Sequence, residues 1–362
     1  MTRTAVAIIG AGLAGLTAAR LLHRAGVAFH LFEARARIGG RILTVDDQGN
    51  PSDDGFDLGP SWFWPQMQPG MGALVAELGL AAFSQNSTGD VVFERMSREA
   101  AHRMPGLEQE PQSMRFAGGT AALVRALSRD LPDGALQVAT PVTALRLTGE
   151  GVAVTTPGAT VTARHVIAAL PPRLFAERVT LDPAPAARDL ARWHATATWM
   201  APHAKIIAVY DRPFWREAGL SGTAQSLVGP LAEIHDATTA SGKAALFGFV
   251  GIPAANRAAL GDAALIRAAI EQFTRLFGPE AAHPVATLVK DWARDPLTAT
   301  GADATPSGHP AAFAGGWVTG DWEGRLVMAG SEASPSEPGY LAGAVEAAQR
   351  AVRTILGRDH AQ

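Results

Sequence analysis

Several short apolar runs, separated by glycine and proline, set the frame of this chain. Residues 4–9 are an unbroken apolar stretch rich in β-branched side chains, the kind a parallel strand buries on both faces. Residues 16–24 place Leu16, Ala19, Leu22 and His23 on one helical face, and Gly26 marks the stop. Residues 27–32 read as a second strand that ends in Glu33. Farther on, Gly118-Gly119 opens an apolar helix over 121–131. Two strands follow over 136–147 and 152–161, divided by Gly149-Glu150-Gly151. An apolar strand then ends at Pro171-Pro172. From 205 onward the period is two, so Lys205, Ile207 and Val209 share a strand face. A strand over 325–329 and a helix start over 339–345 close the pattern. The alternation of strands and helices predicts an α/β fold, a Rossmann-like domain interleaved with a smaller mixed-sheet α+β lobe.

The link between the first strand and helix is Gly10-Ala11-Gly12-Leu13-Ala14-Gly15. Gly10 permits the tight turn, Gly12 lets backbone approach a pyrophosphate, and Gly15 allows close helix–strand contact. The helix N-terminus offers free N–H groups to the phosphates. Glu33 stands about 20 residues on, where a carboxylate accepts ribose hydroxyls. Gly39-Gly40-Arg41 brings backbone close to phosphate a second time, with a guanidinium fork beside it and Arg35 just upstream.

Composition narrows the choices. A chain of 362 residues predicts two lobes rather than one small core. A formal net charge of −3 gives no positive field for nucleic acid. With no cysteine, disulfides, thiolate catalysis and cysteine-linked cofactors are excluded. The ten histidines show no close pair at ligand spacing, so no metal site is predicted. The apolar run after Arg3 resembles a secretory leader, but its glycines assign it to the nucleotide turn. The C-terminus is short and polar, and the expectation is a cytoplasmic protein without a membrane anchor, monomeric or homodimeric.

The run from the glycines through Glu33 to Gly39-Gly40-Arg41 resembles the FAD fingerprint of the flavin-containing amine oxidases. The resemblance implies that Arg41 faces the pyrophosphate and that the Asp57-Leu58-Gly59 segment passes near the isoalloxazine, with Pro60 in place of the family's second glycine. It also implies that main-chain groups at Val142 hold the adenine. The stretch His203-Ala204-Lys205, followed by Pro213-Phe214-Trp215, is similar to the segment whose lysine reaches flavin N5 through a bound water. Gly330-Ser331-Glu332 and Pro338-Gly339-Tyr340-Leu341 resemble the family's terminus, where Gly330 and Glu332 lie at the phosphates and ribityl chain. There Leu341 belongs to the helix start aimed at the ring, and Tyr340 takes the flavin-facing aromatic position.

The resemblance departs at three points. The substrate lobe between Leu80 and Met114 is trimmed. The second aromatic expected near Ala302–Asp303 is missing, so half of the aromatic cage is absent or is supplied by a tryptophan such as Trp62 or Trp317. The family's thioether to the flavin cannot form without cysteine. The implied domain plan is a discontinuous FAD lobe, 1–80, 113–194 and 291–362, with a substrate lobe of 81–112 and 195–290. The implied activity is an FAD-dependent oxidase, with FAD non-covalent, that removes a hydride from the carbon next to an amine nitrogen. Dioxygen is then the second substrate and hydrogen peroxide a product. A flavin-dependent carbon–carbon desaturase of the porphyrinogen-oxidase kind and a non-catalytic flavin-binding protein are the alternatives. Five of the eight tryptophans, Trp62, Trp64, Trp199, Trp292 and Trp317, fit either a pocket wall or a core.

Overall fold

The computed structural model describes residues 2–107, 110–305 and 308–359. Its first sheet is built around Thr2–Ile9, which runs parallel to Phe29–Phe32 on one side and to Thr160–Ala168 on the other. Leu136–Gln137 extends the sheet beyond Phe29–Phe32, and Leu326–Met328 adds in parallel to Thr160–Ala168. The central strand is apolar from Ala5 to Ile9, where both of its faces are covered. Val6 and Ile8 pack with the Leu13–Arg24, Ala121–Ser128 and Leu341–Asp359 helices, while Ala7 and Ile9 point into a second cluster containing Trp193 and Trp322.

The second sheet has the order Ala286–Asp291, Ala204–Tyr210, Ala244–Val250, Leu231–Asp236, Leu220–Ser226, Asp90–Glu94, His102–Met104. Its period-two pattern separates two faces. Ile206, Ala208 and Tyr210 pack with Leu265, Phe273 and Phe277 of the Asp262–Phe277 helix. Ile207 and Val209 pack instead with Val45, Phe56 and Leu58 of the first lobe. Lys205 shares that second face, so it is directed between the two sheets.

Several elements differ from the sequence pattern, among them the strand read over 152–161, which is Gly151–Thr155, a turn, and the start of Thr160–Ala168. The Leu13–Arg24 helix begins three residues earlier than its apolar face suggests, because Gly15 packs into the turn: a Cβ there would lie 1.8 Å from the Gly10 carbonyl oxygen. The strand read over 136–147 is two strands, Leu136–Gln137 and Ala144–Thr148, in different parts of the sheet. Pro141 has no N–H for a ladder, and Ala139 at φ 52° turns the chain across the strand ends. Those crossing residues are held by Ala139 N–H to the Arg35 carbonyl and Thr140 N–H to the Glu33 carbonyl. The last helix starts at Leu341, after Gly339 at φ +84° against Trp199. The helix after Gly118-Gly119 stops at Ser128.

Candidate active site

A cleft of about 950 Å³ lies where the glycine-rich turn of the first sheet faces the Lys205 side of the second. The Leu13–Arg24 helix opens onto it without a side-chain cap and without an acidic residue in its first turn. Its first N–H groups therefore lack an intrahelical partner and aim a positive dipole end at the cleft. Gly10 takes φ +96° to make the turn, and a Cβ on Gly12 would meet only the Gly39 carbonyl, at 3.9 Å, so the floor stays open to a phosphate. Gly40 lies across from it, its would-be Cβ 3.4 Å from the Gly12 Cα.

Glu33 is buried, and its two carboxylate oxygens accept the Ala11 and Arg35 backbone N–H groups at 2.8 Å each. Each oxygen retains lone pairs toward the cleft, the acceptor set that a ribose diol needs. The Arg35 guanidinium is committed to Asp295 at 2.8 Å and Thr298 at 2.9 Å. Arg41 meets Glu332 with both terminal nitrogens, at 2.7 and 3.2 Å, and also donates to Ser331 and the Trp199 carbonyl, both at 2.9 Å. The uncapped helix N-terminus, the open glycine floor and the Glu33 carboxylate fit the pyrophosphate and adenosine ribose of a dinucleotide such as FAD.

Among the residues singled out from sequence, Gly10, Gly12, Glu33, Arg35, Gly40, Arg41, Gly59, Val142, Lys205, Gly330, Tyr340 and Leu341 line this cleft. Gly15 and Glu332 stand behind the lining. Glu332 is fully buried and meets the lining through Arg41, the Ser331 hydroxyl and the Trp199 backbone N–H.

Lys205 is 3% exposed, which rules out a solvated strand end. Its Nζ meets the Asp57 carbonyl at 2.9 Å, the Gly59 carbonyl at 2.7 Å and Ser61 Oγ at 3.1 Å. It also lies 4.4 Å from the Phe247 ring centre. Burial pushes its pKa down to about 7, against the opposing pull of Asp57. Desolvation pushes the Asp57 carboxyl up, while hydrogen bonds from Thr44 and from the Thr120 backbone oppose that shift.

The neutral amine suits this nest. Its two hydrogens serve the two carbonyls, and its lone pair accepts from the Ser61 hydroxyl. The ammonium form makes the same three contacts with Ser61 as acceptor, and all its hydrogens are then committed to the 57–61 loop.

Trp62, Trp64, Trp199 and Trp292 line the cleft, whereas Trp317 packs in the core against Phe313. Tyr340 has Trp64 edge-on at 6.1 Å and the His309 ring tilted at 4.9 Å. His309 in turn lies 4.5 Å from Trp199. Asp303, where a second aromatic was expected, is buried and ion-paired to Arg173 at 2.5 Å.

Sequence reasoning missed His309 and, at the cleft wall, Glu233 with its partner His235. The signal for the last two is the alternation Glu233-Ile234-His235 in Leu231–Asp236, which puts two polar side chains on the cleft-facing side.

A glycine-rich βαβ turn, a buried carboxylate beside it and a lysine–aromatic chamber on one groove are the parts of a dinucleotide-cofactor oxidoreductase. The family model for flavin-containing amine oxidoreductases matches residues 13–107 and 102–356, so the chain belongs to that family. It is 28% identical to an L-amino acid dehydrogenase of Synechocystis sp. over 71% of this chain, and spans about half (54%) of that protein. It is 25% identical to the flavin-containing amine oxidase B of Canis lupus familiaris, over 97% of this chain and 86% of the relative. Its fold matches a putrescine oxidase structure bound to putrescine, with a TM-score of 0.81 and 22% identity over 98% of this chain and 99% of that one. No helix among the described residues is long and apolar enough to cross a membrane.

Proposed function

We propose that this chain binds FAD non-covalently and oxidises an amine at the carbon next to nitrogen. The overall reaction converts R–CH2–NH2, dioxygen and water to R–CHO, ammonia and hydrogen peroxide. When bound, FAD supplies the electron sink for the C–H bond and the route to dioxygen. The observation that carries this reading is that Lys205 and Tyr340, distant in sequence, line one cleft together with the glycine-rich turn and Glu33. The flavin lobe comprises 1–80, 113–194 and 291–362, and the substrate lobe 81–112 and 195–290. That division follows the two sheets and the short Ala82–Ser84/Met114–Phe116 ladder that pins the first crossing.

The roles of the side chains follow from their surroundings. The aromatic walls at Tyr340, Trp64 and Trp199 exclude water and orient the amine. Lys205, whose pKa burial lowers to about 7, holds or releases a proton at Nζ without breaking its contacts, because Ser61 accepts in one state and donates in the other. Ser61 itself lines the cleft, so that proton has an exit toward the reacting groups.

Two experiments test this reading. The purified protein is expected to be yellow and to release intact FAD on acid precipitation, since no cysteine is available for a thioether. Flavin that stays with the precipitate would overturn the non-covalent assignment. Aerobic incubation with an amine panel should release peroxide in step with aldehyde. Tyr340→Ala should raise KM about tenfold or more with a smaller change in the limiting rate, because an orienting wall contributes chiefly through geometry. A variant with wild-type substrate dependence would remove Tyr340 from the amine site.

A further inference from the structure

Glu233 and Glu33 are the carboxylates among the described residues that line the cleft. Glu33 is buried against backbone N–H groups at the nucleotide turn. Glu233 differs: its side chain is 49% exposed, and it belongs to the second sheet, beside Lys205. The register fixes the relation. Lys205 pairs with Phe249 across one strand boundary, and Phe249 pairs with Glu233 across the next. Directly paired residues share a face, so Lys205, Phe249 and Glu233 form one row facing the cleft. Two strand spacings separate its ends, about 10 Å between backbones.

The carboxylate is held in place. His235 meets it at 2.6 Å, and the His235 ring is wedged edge-on against Trp62 at 4.8 Å and tilted over Phe247 at 5.3 Å. Trp62 and Phe249 give the span between Lys205 and Glu233 apolar walls.

Among the described residues, the lysine and arginine side chains lining this end are committed, and burial with the neighbouring Arg257 lowers the pKa of His203, which keeps that ring neutral. Arg257 is 2% exposed and donates to both Asp291 oxygens and to the Pro202 and Ile252 carbonyls. Lys205 is saturated by the 57–61 loop. A substrate carboxylate finds no free positive partner here, while a second ammonium finds Glu233. Resting on the amine-oxidation reading above, we infer that Glu233 selects substrates with a second cationic group. The substrate class is then short diamines or polyamines, oxidised at one nitrogen while the other is anchored at Glu233.

The test compares 1,4-diaminobutane, pentylamine and L-leucine as reductants of the FAD-loaded enzyme, by anaerobic stopped-flow and by steady-state peroxide release. The wild type should favour the diamine over pentylamine at least tenfold in kcat/KM. In Glu233→Gln the diamine-to-pentylamine ratio should fall about 10- to 100-fold, mainly through a raised diamine KM, the scale of one lost charge-assisted hydrogen bond. Glu233→Lys should lower the ratio further, and Glu233→Asp should retain part of it. Pentylamine or L-leucine preferred by the wild type would overturn the inference while leaving amine oxidation standing. So would a Glu233→Gln variant that loses activity on both amines equally. Absence of flavin reduction by any of the three would overturn the proposed function and this inference together.

Discussion

Glu33→Arg should yield a protein that folds but is isolated colourless. The carboxylate accepts from Ala11 and Arg35 on its protein side and offers its remaining lone pairs to the cleft. An arginine has no acceptor at all, so the ribose hydroxyls lose both partners and two backbone donors lose theirs. A charge-assisted hydrogen bond contributes about 1.5–3 kcal/mol, and losing two corresponds to a Kd at least about 100-fold higher. The new cation would also stand next to Arg35, adding repulsion that Asp295 only partly offsets. The measurement is FAD titration of the apoprotein, with flavin content on isolation as a second reading. Glu33→Gln, which keeps one acceptor oxygen, should fall between the two. Wild-type affinity in the arginine variant would mean that the adenosine end of the groove has been misplaced.

The nucleotide half of the site is legible in the sequence because its requirements are local. Gly10, Gly12, Gly15 and Glu33 all lie within one βαβ unit, and backbone geometry alone restricts which residues fit. Arg41 and Glu332 are farther apart, yet they appear in separate recognisable stretches, and folding joins them as an ion pair. What is not legible depends on register between distant strands. That Glu233 stands in the same row as Lys205 follows only from the pairing of both with Phe249. The burial of Lys205 could not be read either, because a lysine at the start of a strand is compatible with solvent until the 57–61 loop is seen across it. His309 reaches Tyr340 from an irregular stretch with no periodicity to read. The misplaced strand over 136–147 has a similar origin: its apolar pattern is continuous, and only Pro141 betrays the crossing.

Lys205→Met is expected to change stability, rate and pH profile together, and the structure changes what that substitution tests. Methionine keeps the length of the stem but leaves the Asp57 and Gly59 carbonyls and the Ser61 hydroxyl without their buried partner. Each unpartnered group costs about 1–3 kcal/mol, so the variant should be less stable as well as slower. The pH dependence separates the two effects. Folded Lys205 titrates at about 7, and the unfolded chain at 10.5. Between those values the unfolded state holds the extra proton, so this residue makes stability rise with pH through that window and contributes no slope below it. The methionine variant lacks that component, and the gap in denaturation midpoint between wild type and variant should widen from pH 6 to pH 9. In the half-reactions, wild-type rates should show an inflexion near pH 7 that the variant has lost, with a slowing on the order of tenfold or more at the optimum. Stopped-flow reduction by amine and reoxidation by dioxygen, each measured across pH, give the profiles. A variant with an unchanged inflexion and unchanged rates, whatever its stability, would show that Lys205 only braces the 57–61 loop, and the proton would have to be held elsewhere in the cleft.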